Sequence, residues 1–143
     1  MAIVTSTGIA HVRLTVTDIT RSKDFYDRVF GWPAAIDESG RVDEPGVREA
    51  PHQFYGGVVY QTPSGALFGL RPVGGEPFDS ERTGLDHVSF MVASRDDLVA
   101  AHEAFHGADI EHGDVTDLTD AGIAILSFSD PDGVHLELTA PLG

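Results

Sequence analysis

Two nine-residue segments of the chain are near-copies of each other. Residues 8–16 read GIAHVRLTV and residues 84–92 read GLDHVSFMV, so His11 and His87 occupy equivalent places 76 residues apart. The same offset carries Gly31 onto Gly107 after an intervening helical pattern. Two copies of one unit predict a pseudo-symmetric fold, which brings equivalent side chains towards the symmetry axis. Because histidine is the commonest metal ligand in proteins, the repeat predicts a metal site built by duplication.

Each copy has the pattern β-α-β-β-β. In the first copy, apolar and polar residues alternate over 9–17 as in a half-buried strand, Asp18 offers a helix N-cap and Gly31 ends the helix. In the second, Ser94 caps a helix that runs to about His106. The remaining strands are predicted at 33–37, 53–62, 66–71, 85–92, 109–115, 122–128 and 134–139, with a long polar loop at 38–52, a linker at 72–84, a loop at 116–121 and a type I turn at 130–133.

The turns before the two closing strands also match. They read PSG at 63–65 and PDG at 131–133, an offset of 68, which aligns Gly69 with Glu137. The first copy therefore contains about eight extra residues, and the loop at 38–52 is the expected place for them. We expect a single domain over residues 1–143, with modules at about 8–71 and 84–140.

Composition excludes several classes of function. The chain has no cysteine, so disulfides, zinc–thiolate sites and cysteine nucleophiles are excluded. The formal net charge of −14 argues against nucleic acid and anionic membranes as partners and disfavours a polyanionic substrate. No secretory signal and no apolar run long enough to span a bilayer is visible, so we expect a cytoplasmic protein.

Polar side chains follow one face of three predicted strands, whereas the opposite face is aliphatic. Polar groups on the face away from the helices indicate a wet cavity rather than a second dry core. The polar set consists of His11, Arg13, His87, Ser89, His135 and Glu137.

The whole chain resembles the vicinal oxygen chelate superfamily, which includes glyoxalase I, bleomycin-resistance proteins and extradiol dioxygenases. The resemblance rests on the AHV and DHV strand starts, the helix end FYDRVFGW and the closing segment SDPDGVHLEL, of which the last is the most specific. It implies an α+β fold in which two βαβββ modules form a curled, eight-stranded open barrel around a divalent metal ion.

In that family the metal ligands come from the first and last strands of each module. Carried over to this chain, the four positions are His11, Gly69, His87 and Glu137. Glyoxalase I uses all four, whereas extradiol dioxygenases and fosfomycin-inactivating thiol transferases use a reduced set. Two histidines and one carboxylate fit a facial triad with open coordination positions. Fe(II) is the favoured ion, with Mn(II), Ni(II) and Zn(II) as alternatives.

The resemblance favours an enzyme acting on a small molecule with adjacent oxygens, and a dioxygenase-like oxidoreductase is the leading hypothesis. The alternatives are a redox-inert metal isomerase, lyase or thiol transferase, and a metal-free drug-binding protein of the bleomycin-resistance type. Arg13 is a candidate for orienting a carboxylate or enolate oxygen, or else for a salt bridge with Glu137 or a loop acid. His135 is a candidate substrate contact, or else a partly exposed histidine. Relatives are commonly dimers, so a homodimer is expected.

The remaining histidines and aromatic residues carry weaker expectations. His102 and His106 are expected on the exposed surface of a helix. No function is expected for His52 or His112. Phe54, Tyr55, Tyr60 and Phe68 are expected to line either the cavity or the core, and Trp32 to serve packing.

Overall fold

Two four-stranded sheets, each carrying one α-helix, make up the computed structural model, which describes residues 1–143. The chain divides into two compact units, which we call unit 1 (Met1–Glu76) and unit 2 (Pro77–Gly143). The boundary between them falls within the linker predicted at 72–84. No helix has the length and apolar character needed to cross a membrane.

Unit 1 has the strand order β1-β4-β3-β2, with β1 parallel to β4 and the other pairs antiparallel. The helix α1 begins after Asp18, whose carboxylate accepts a hydrogen bond from the backbone N–H of Arg21 at 3.2 Å. Gly31, at φ 62°, follows the helix in a left-handed conformation that suits glycine. The elements are β1 (His11–Thr15), α1 (Ile19–Val29), β2 (Ala34–Asp37), β3 (Val58–Gln61) and β4 (Leu67–Arg71).

Unit 2 repeats this plan with the order β5-β8-β7-β6 and a parallel β5–β8 pair. Ser94 and Asp97 form a reciprocal capping box at the start of α2. The elements are β5 (Val88–Met91), α2 (Arg95–Gly107), β6 (Thr116–Leu118), β7 (Ile123–Ser129) and β8 (His135–Pro141). The predicted α+β class and the βαβββ plan of each copy are therefore confirmed.

The parallel strand pairs have the same register in both units. Arg13 lies opposite Gly69 in unit 1, and Ser89 lies opposite Glu137 in unit 2. These pairs are related by the two sequence offsets, 76 for the first strand and 68 for the last. The predicted equivalence of Gly69 and Glu137 is thus confirmed by strand pairing.

One face of each sheet forms a dry core beneath its helix. In unit 1, α1 buries Phe25 and Tyr26, and β4 buries Phe68 and Leu70. In unit 2 the corresponding core contains Leu98, Phe105, Leu126, Leu136 and Leu138. Full burial of a side chain of this size contributes about 1.5–3 kcal/mol. The other face keeps its polar residues accessible, as the alternation predicts.

Tyr60 belongs to the core rather than to a cavity. Its side chain is buried, and its hydroxyl donates a hydrogen bond to Oδ1 of Asp27 at 2.9 Å. Burial, reinforced by this acidic partner, raises the pKa of Tyr60.

The segment between β2 and β3 differs from its prediction. It forms three short 3₁₀ turns, at Ser39–Arg41, Val47–Glu49 and Pro51–Gly56, rather than an open loop followed by a strand from residue 53. Left-handed backbone at Phe54 and Tyr55 (φ 49° and 58°) prevents an extended strand there, so β3 begins only at Val58. Burial of Val42 and Val47 anchors the segment.

The stretch after α2 is also shifted relative to its prediction. Residues 109–115 form no strand and contribute one isolated bridge, from His112 to Phe128, whereas β6 occupies 116–118. Asp109 has a positive φ of 58°, which interrupts extended backbone. Gly113 lies so close to Ser127 that a Cβ there would be 2.7 Å from its hydroxyl oxygen.

The turn before β8 depends on Asp130. Its side chain is 5% exposed, and its Oδ1 accepts the backbone N–H groups of Asp132 and Val134, each at 2.9 Å. The Gly133 N–H donates to the Asp130 carbonyl at 2.9 Å, as in the predicted turn. This network fixes where β8, and with it Glu137, begins.

We predict that Asp130→Ala lowers the free energy of unfolding by about 2–3 kcal/mol, because two buried N–H donors lose a charged acceptor. Urea denaturation measures the change. Asp120→Ala, at an exposed carboxylate, is the control and is expected to stay within about 0.5 kcal/mol of the original chain. Equal stability of the two variants would contradict this role for Asp130.

Candidate functional site

A cavity of about 470 Å³ opens on the polar side of the unit 2 sheet. His87 precedes β5, whereas His135 and Glu137 are two positions apart on β8 and therefore point to the same side. The structure brings these three predicted residues together in one cavity. Its walls also include Asp86, Glu111 and Ser127.

Within this cavity, His87 and Glu137 place two potential metal-ligand atoms close together. Nε2 of His87 lies 3.8 Å from Oε2 of Glu137. The Glu137 side chain is 17% exposed and that of His87 is 43% exposed, so both remain accessible from the cavity. Both donor atoms are oriented by neighbouring side chains.

The orientation comes from one carboxylate and two hydroxyl groups. Nδ1 of His87 lies 2.6 Å from Oδ2 of Asp86, so a proton on Nδ1 is donated to that carboxylate. The Thr139 hydroxyl donates to Oε1 of Glu137 at 3.2 Å and accepts a hydrogen bond from Ser89. Nε2 of His87 and Oε2 of Glu137 are thereby left for another partner.

This pair fits a divalent cation. Metal–nitrogen and metal–oxygen bonds to His and Glu are about 2.0–2.2 Å long, so two ligands of one ion lie within about 4.2 Å of each other. The separation of 3.8 Å satisfies that limit. A carboxylate on the second ring nitrogen is the usual arrangement of a metal-ligating histidine. No group of three or more His, Cys, Asp or Glu side chains is arranged to hold an ion.

Unit 1 presents a different set at the equivalent positions. His11 is exposed at the start of β1, and Gly69 stands where unit 2 has Glu137. A Cβ at Gly69 would lie 3.2 Å from Cγ of Arg13, so a side chain at this position requires the alkyl part of Arg13 to shift slightly. Unit 1 therefore offers a histidine without a carboxylate.

Arg13 stacks on an aromatic ring and forms no ion pair within unit 1. Its guanidinium carbon lies 5.3 Å from the ring centroid of Tyr55, and that of Arg71 lies 4.2 Å from the same centroid. Tyr55 thus lies against two cations. Arg71 is not among the site residues that the sequence predicts, although its position two residues after Gly69 puts both on one face of β4.

The remaining histidines form a group that the sequence predicted only in part. The ring centroid of His112 lies 4.6 Å from that of His102 and 6.2 Å from that of His106. Nε2 of His102 also lies 3.4 Å from Oδ1 of Asp114. The spacing of His102 and His106 indicated one helix face, but His112 comes from outside the helix. His106 is exposed, as expected, and His102 is partly buried.

His135 contacts a ring and no acid. Its imidazole packs edge-on against Phe78, with centroids 5.6 Å apart. His52, for which the sequence predicts no function, is exposed in a 3₁₀ turn of unit 1.

Comparison with known proteins defines the class. The model of the Glyoxalase/Bleomycin resistance protein/Dioxygenase superfamily matches residues 8–138. The chain belongs to this superfamily. No curated protein matches the sequence.

Solved structures agree with this assignment. A glyoxylase/bleomycin resistance protein/dioxygenase domain from Frankia sp. EAN1pec is 28% identical, with a TM-score of 0.76, covering 96% of this chain and 99% of its own. A glyoxalase/dioxygenase from Nostoc punctiforme is 21% identical, with a TM-score of 0.70 and coverage of 99% and 98%. A mutant of the fosfomycin resistance protein FosX from Listeria monocytogenes, complexed with Mn(II) and a dihydroxypropylphosphonic acid, is 15% identical, with a TM-score of 0.72 and coverage of 96% and 94%. The last two show a shared fold.

The contact with Asp86 predicts the tautomer of His87. In the neutral ring the proton resides on Nδ1, because Asp86 accepts it. Long-range ¹H–¹⁵N NMR spectra of metal-free protein are expected to show the Nδ1–H form. Asp86→Ala is expected to shift the population towards Nε2–H, whereas Asp96→Ala, in the first turn of α2, leaves it unchanged. A dominant Nε2–H form in the original chain would contradict this geometry.

Proposed function

We propose that this protein is a metal-dependent enzyme acting on a small molecule with adjacent oxygens, and that His11, His87 and Glu137 hold a divalent cation. The observation that carries the proposal is the 3.8 Å separation of Nε2 of His87 and Oε2 of Glu137, each oriented by a neighbouring group. Family membership and the equivalence of His11 and His87 support the third ligand.

The residues around the three proposed ligands have different roles. Asp86 holds the His87 ring by its Nδ1, which would leave Nε2 to bind the ion, and Thr139 bonds to Oε1 of Glu137, which would leave Oε2 for it. Gly69 has no side chain, so no second carboxylate would compete with substrate for the ion. When bound, a divalent cation acts as a Lewis acid that lowers the pKa of a substrate hydroxyl, and Fe(II) would in addition permit oxygen activation.

Arg13 and His135 are the proposed substrate contacts. Arg13 has no carboxylate partner in unit 1, so its guanidinium is available to an anionic substrate oxygen. His135 lines the same cavity as Glu137 and is exposed, which lets its imidazole donate or accept a proton at a substrate oxygen. The leading reaction class is a dioxygenase-like oxidation. A redox-inert isomerisation, lyase or thiol-transfer reaction is the alternative, favoured by the Mn(II) in the FosX complex.

The proposed site is expected to bind metal stoichiometrically. The protein is first stripped of metal with a chelator and then titrated anaerobically with Fe(II) or Mn(II). It is expected to bind one ion per chain. His87→Ala is expected to abolish binding, and Asp86→Ala to weaken it about 10–100-fold. His52→Ala, an exposed histidine in unit 1, is the control. If the folded protein binds no ion, the enzyme proposal fails and the drug-binding alternative replaces it.

The reaction class is tested separately on the metal-loaded protein. Consumption of oxygen with a catechol or enediol would support oxidation. Turnover of a hydroxyketone without oxygen uptake would support the redox-inert class. Light scattering in the same buffer tests the proposed homodimer.

Replacement of Gly69 by an acidic residue is expected to add a metal ligand. Gly69→Glu is expected to raise Mn(II) affinity at least about tenfold, or about 1.4 kcal/mol, by adding an anionic ligand. It is expected to lower turnover, because the open coordination position is filled. Gly69→Gln tests the contribution of charge, and Gly69→Ala controls for crowding of Arg13. Unchanged affinity in Gly69→Glu would contradict the placement of this residue at a ligand position.

A further inference from the structure

We propose that unit 1 contains a binding site for the carboxylate group of a small molecule, formed by Arg71 and Tyr55 with Arg13 beside them. All residues of this site and their contacts lie in unit 1, and none of them is a proposed metal ligand, whereas Arg13 is shared with the substrate contacts proposed above. It predicts that a natural ligand of this protein carries a carboxylate.

Two arginines of this chain, whose net charge is −14, share one aromatic ring. Neither Arg13 nor Arg71 forms an ion pair in unit 1, although both lie against the ring of Tyr55. Nε of Arg71 is buried and has no hydrogen-bond acceptor. Five other arginines of this acidic chain pair with a carboxylate: Arg28, Arg41, Arg48, Arg82 and Arg95.

Two guanidinium groups on one ring repel each other, and a buried donor without an acceptor is costly. An anion bound beside the two guanidinium groups offsets their repulsion. The pair is therefore better explained as half of a binding site than as a structural contact.

A cavity opens at the same place. A pocket of about 590 Å³ is lined by Tyr55, Arg71, Arg48 and Glu49, together with the backbone turn at 72–74. Arg48 is held there by hydrogen bonds to the Pro72 carbonyl at 3.0 Å and to Asp43 at 3.2 Å. This leaves Arg71 as the cation of the pocket without an acidic partner.

The backbone that carries Tyr55 is strained. Phe54 and Tyr55 are consecutive non-glycine residues in left-handed conformation, which persists only where the surrounding structure enforces it. The two following glycines pack closely within unit 1, since a Cβ at Gly56 would lie 2.7 Å from Cα of Val42 and one at Gly57 would clash with the Leu70 carbonyl oxygen. The Tyr55 ring lies beside Arg71, whose guanidinium carbon is 4.2 Å from the ring centroid.

The chemistry of the pocket favours a carboxylate over a phosphate. The planar guanidinium fork matches a carboxylate with two parallel hydrogen bonds. Glu49 on the wall and the acidic chain around it disfavour a dianion, whereas a monoanion balances the one unpaired cation of the pocket. The Tyr55 ring adds an apolar surface beside the bound group.

The test is calorimetric titration of the full chain with sodium benzoate and with inorganic phosphate, at constant ionic strength and in EDTA. Benzoate is expected to bind once per chain and more tightly than phosphate. Arg71→Gln and Arg71→Lys are each expected to weaken benzoate at least about tenfold, the second because the planar fork is lost. Arg28→Gln, an exposed arginine in α1, is the matched control and is expected to bind as the original chain does.

Backbone NMR locates the bound benzoate, with shifts expected at Tyr55, Arg71 and Gly74. Tyr55→Leu replaces Arg71→Gln if the latter does not fold, and the same tenfold loss is expected. Absence of saturable benzoate binding, equal affinity in the Arg71 variants, shifts confined to unit 2, or tighter binding of phosphate would each overturn the proposal. Because EDTA is present throughout, failure of the metal proposal leaves these outcomes unchanged.

Discussion

The parallel pairing of the first and last strands in each unit is the constraint on which the rest of the structure depends. It joins residues far apart in sequence, such as Arg13 with Gly69 and Ser89 with Glu137. Because side chains alternate along a strand, this register decides which polar groups share a face. A slip of one residue in β8 would turn Glu137 into the core and Leu136 or Leu138 out of it. The buried turn at Asp130 protects against that slip.

The same register produces different chemistry in the two units. Unit 2 places a carboxylate opposite Ser89 and orients it through hydroxyl groups, and the neighbouring histidine is held by Asp86. Unit 1 places a glycine there, with the alkyl part of Arg13 beside it. Duplication thus accounts for the shared scaffold. Divergence at equivalent positions, such as Gly69 and Glu137 or Arg71 and Thr139, separates a unit with a paired donor set from a unit with arginines on an aromatic ring.

Sequence periodicity predicted the elements that have an apolar side to bury. The helix caps at Asp18 and Ser94, the closing turn and the equivalence of Gly69 with Glu137 all follow from local patterns that the structure repeats. The prediction failed at residues 53–57 and 109–115, where backbone conformation is imposed by tertiary contacts. Nothing in the letters of Phe54 and Tyr55 indicates left-handed backbone, because such a conformation in non-glycine residues depends on the surrounding structure.

The two equivalent histidines were predictable from the repeat, and Glu137 from the polar face of its strand and the family resemblance. The role of Asp86 and the approach of Arg71 to Tyr55 depend on side-chain directions that no spacing rule supplies. The central claim is the three-ligand site. Its most direct test is a crystal structure of Mn(II)-loaded protein with the ion located by anomalous scattering. One peak bonded to His11, His87 and Glu137 is expected, with no protein ligand from position 69. A peak on the His102, His106 and His112 group instead, or none at Glu137, would contradict it.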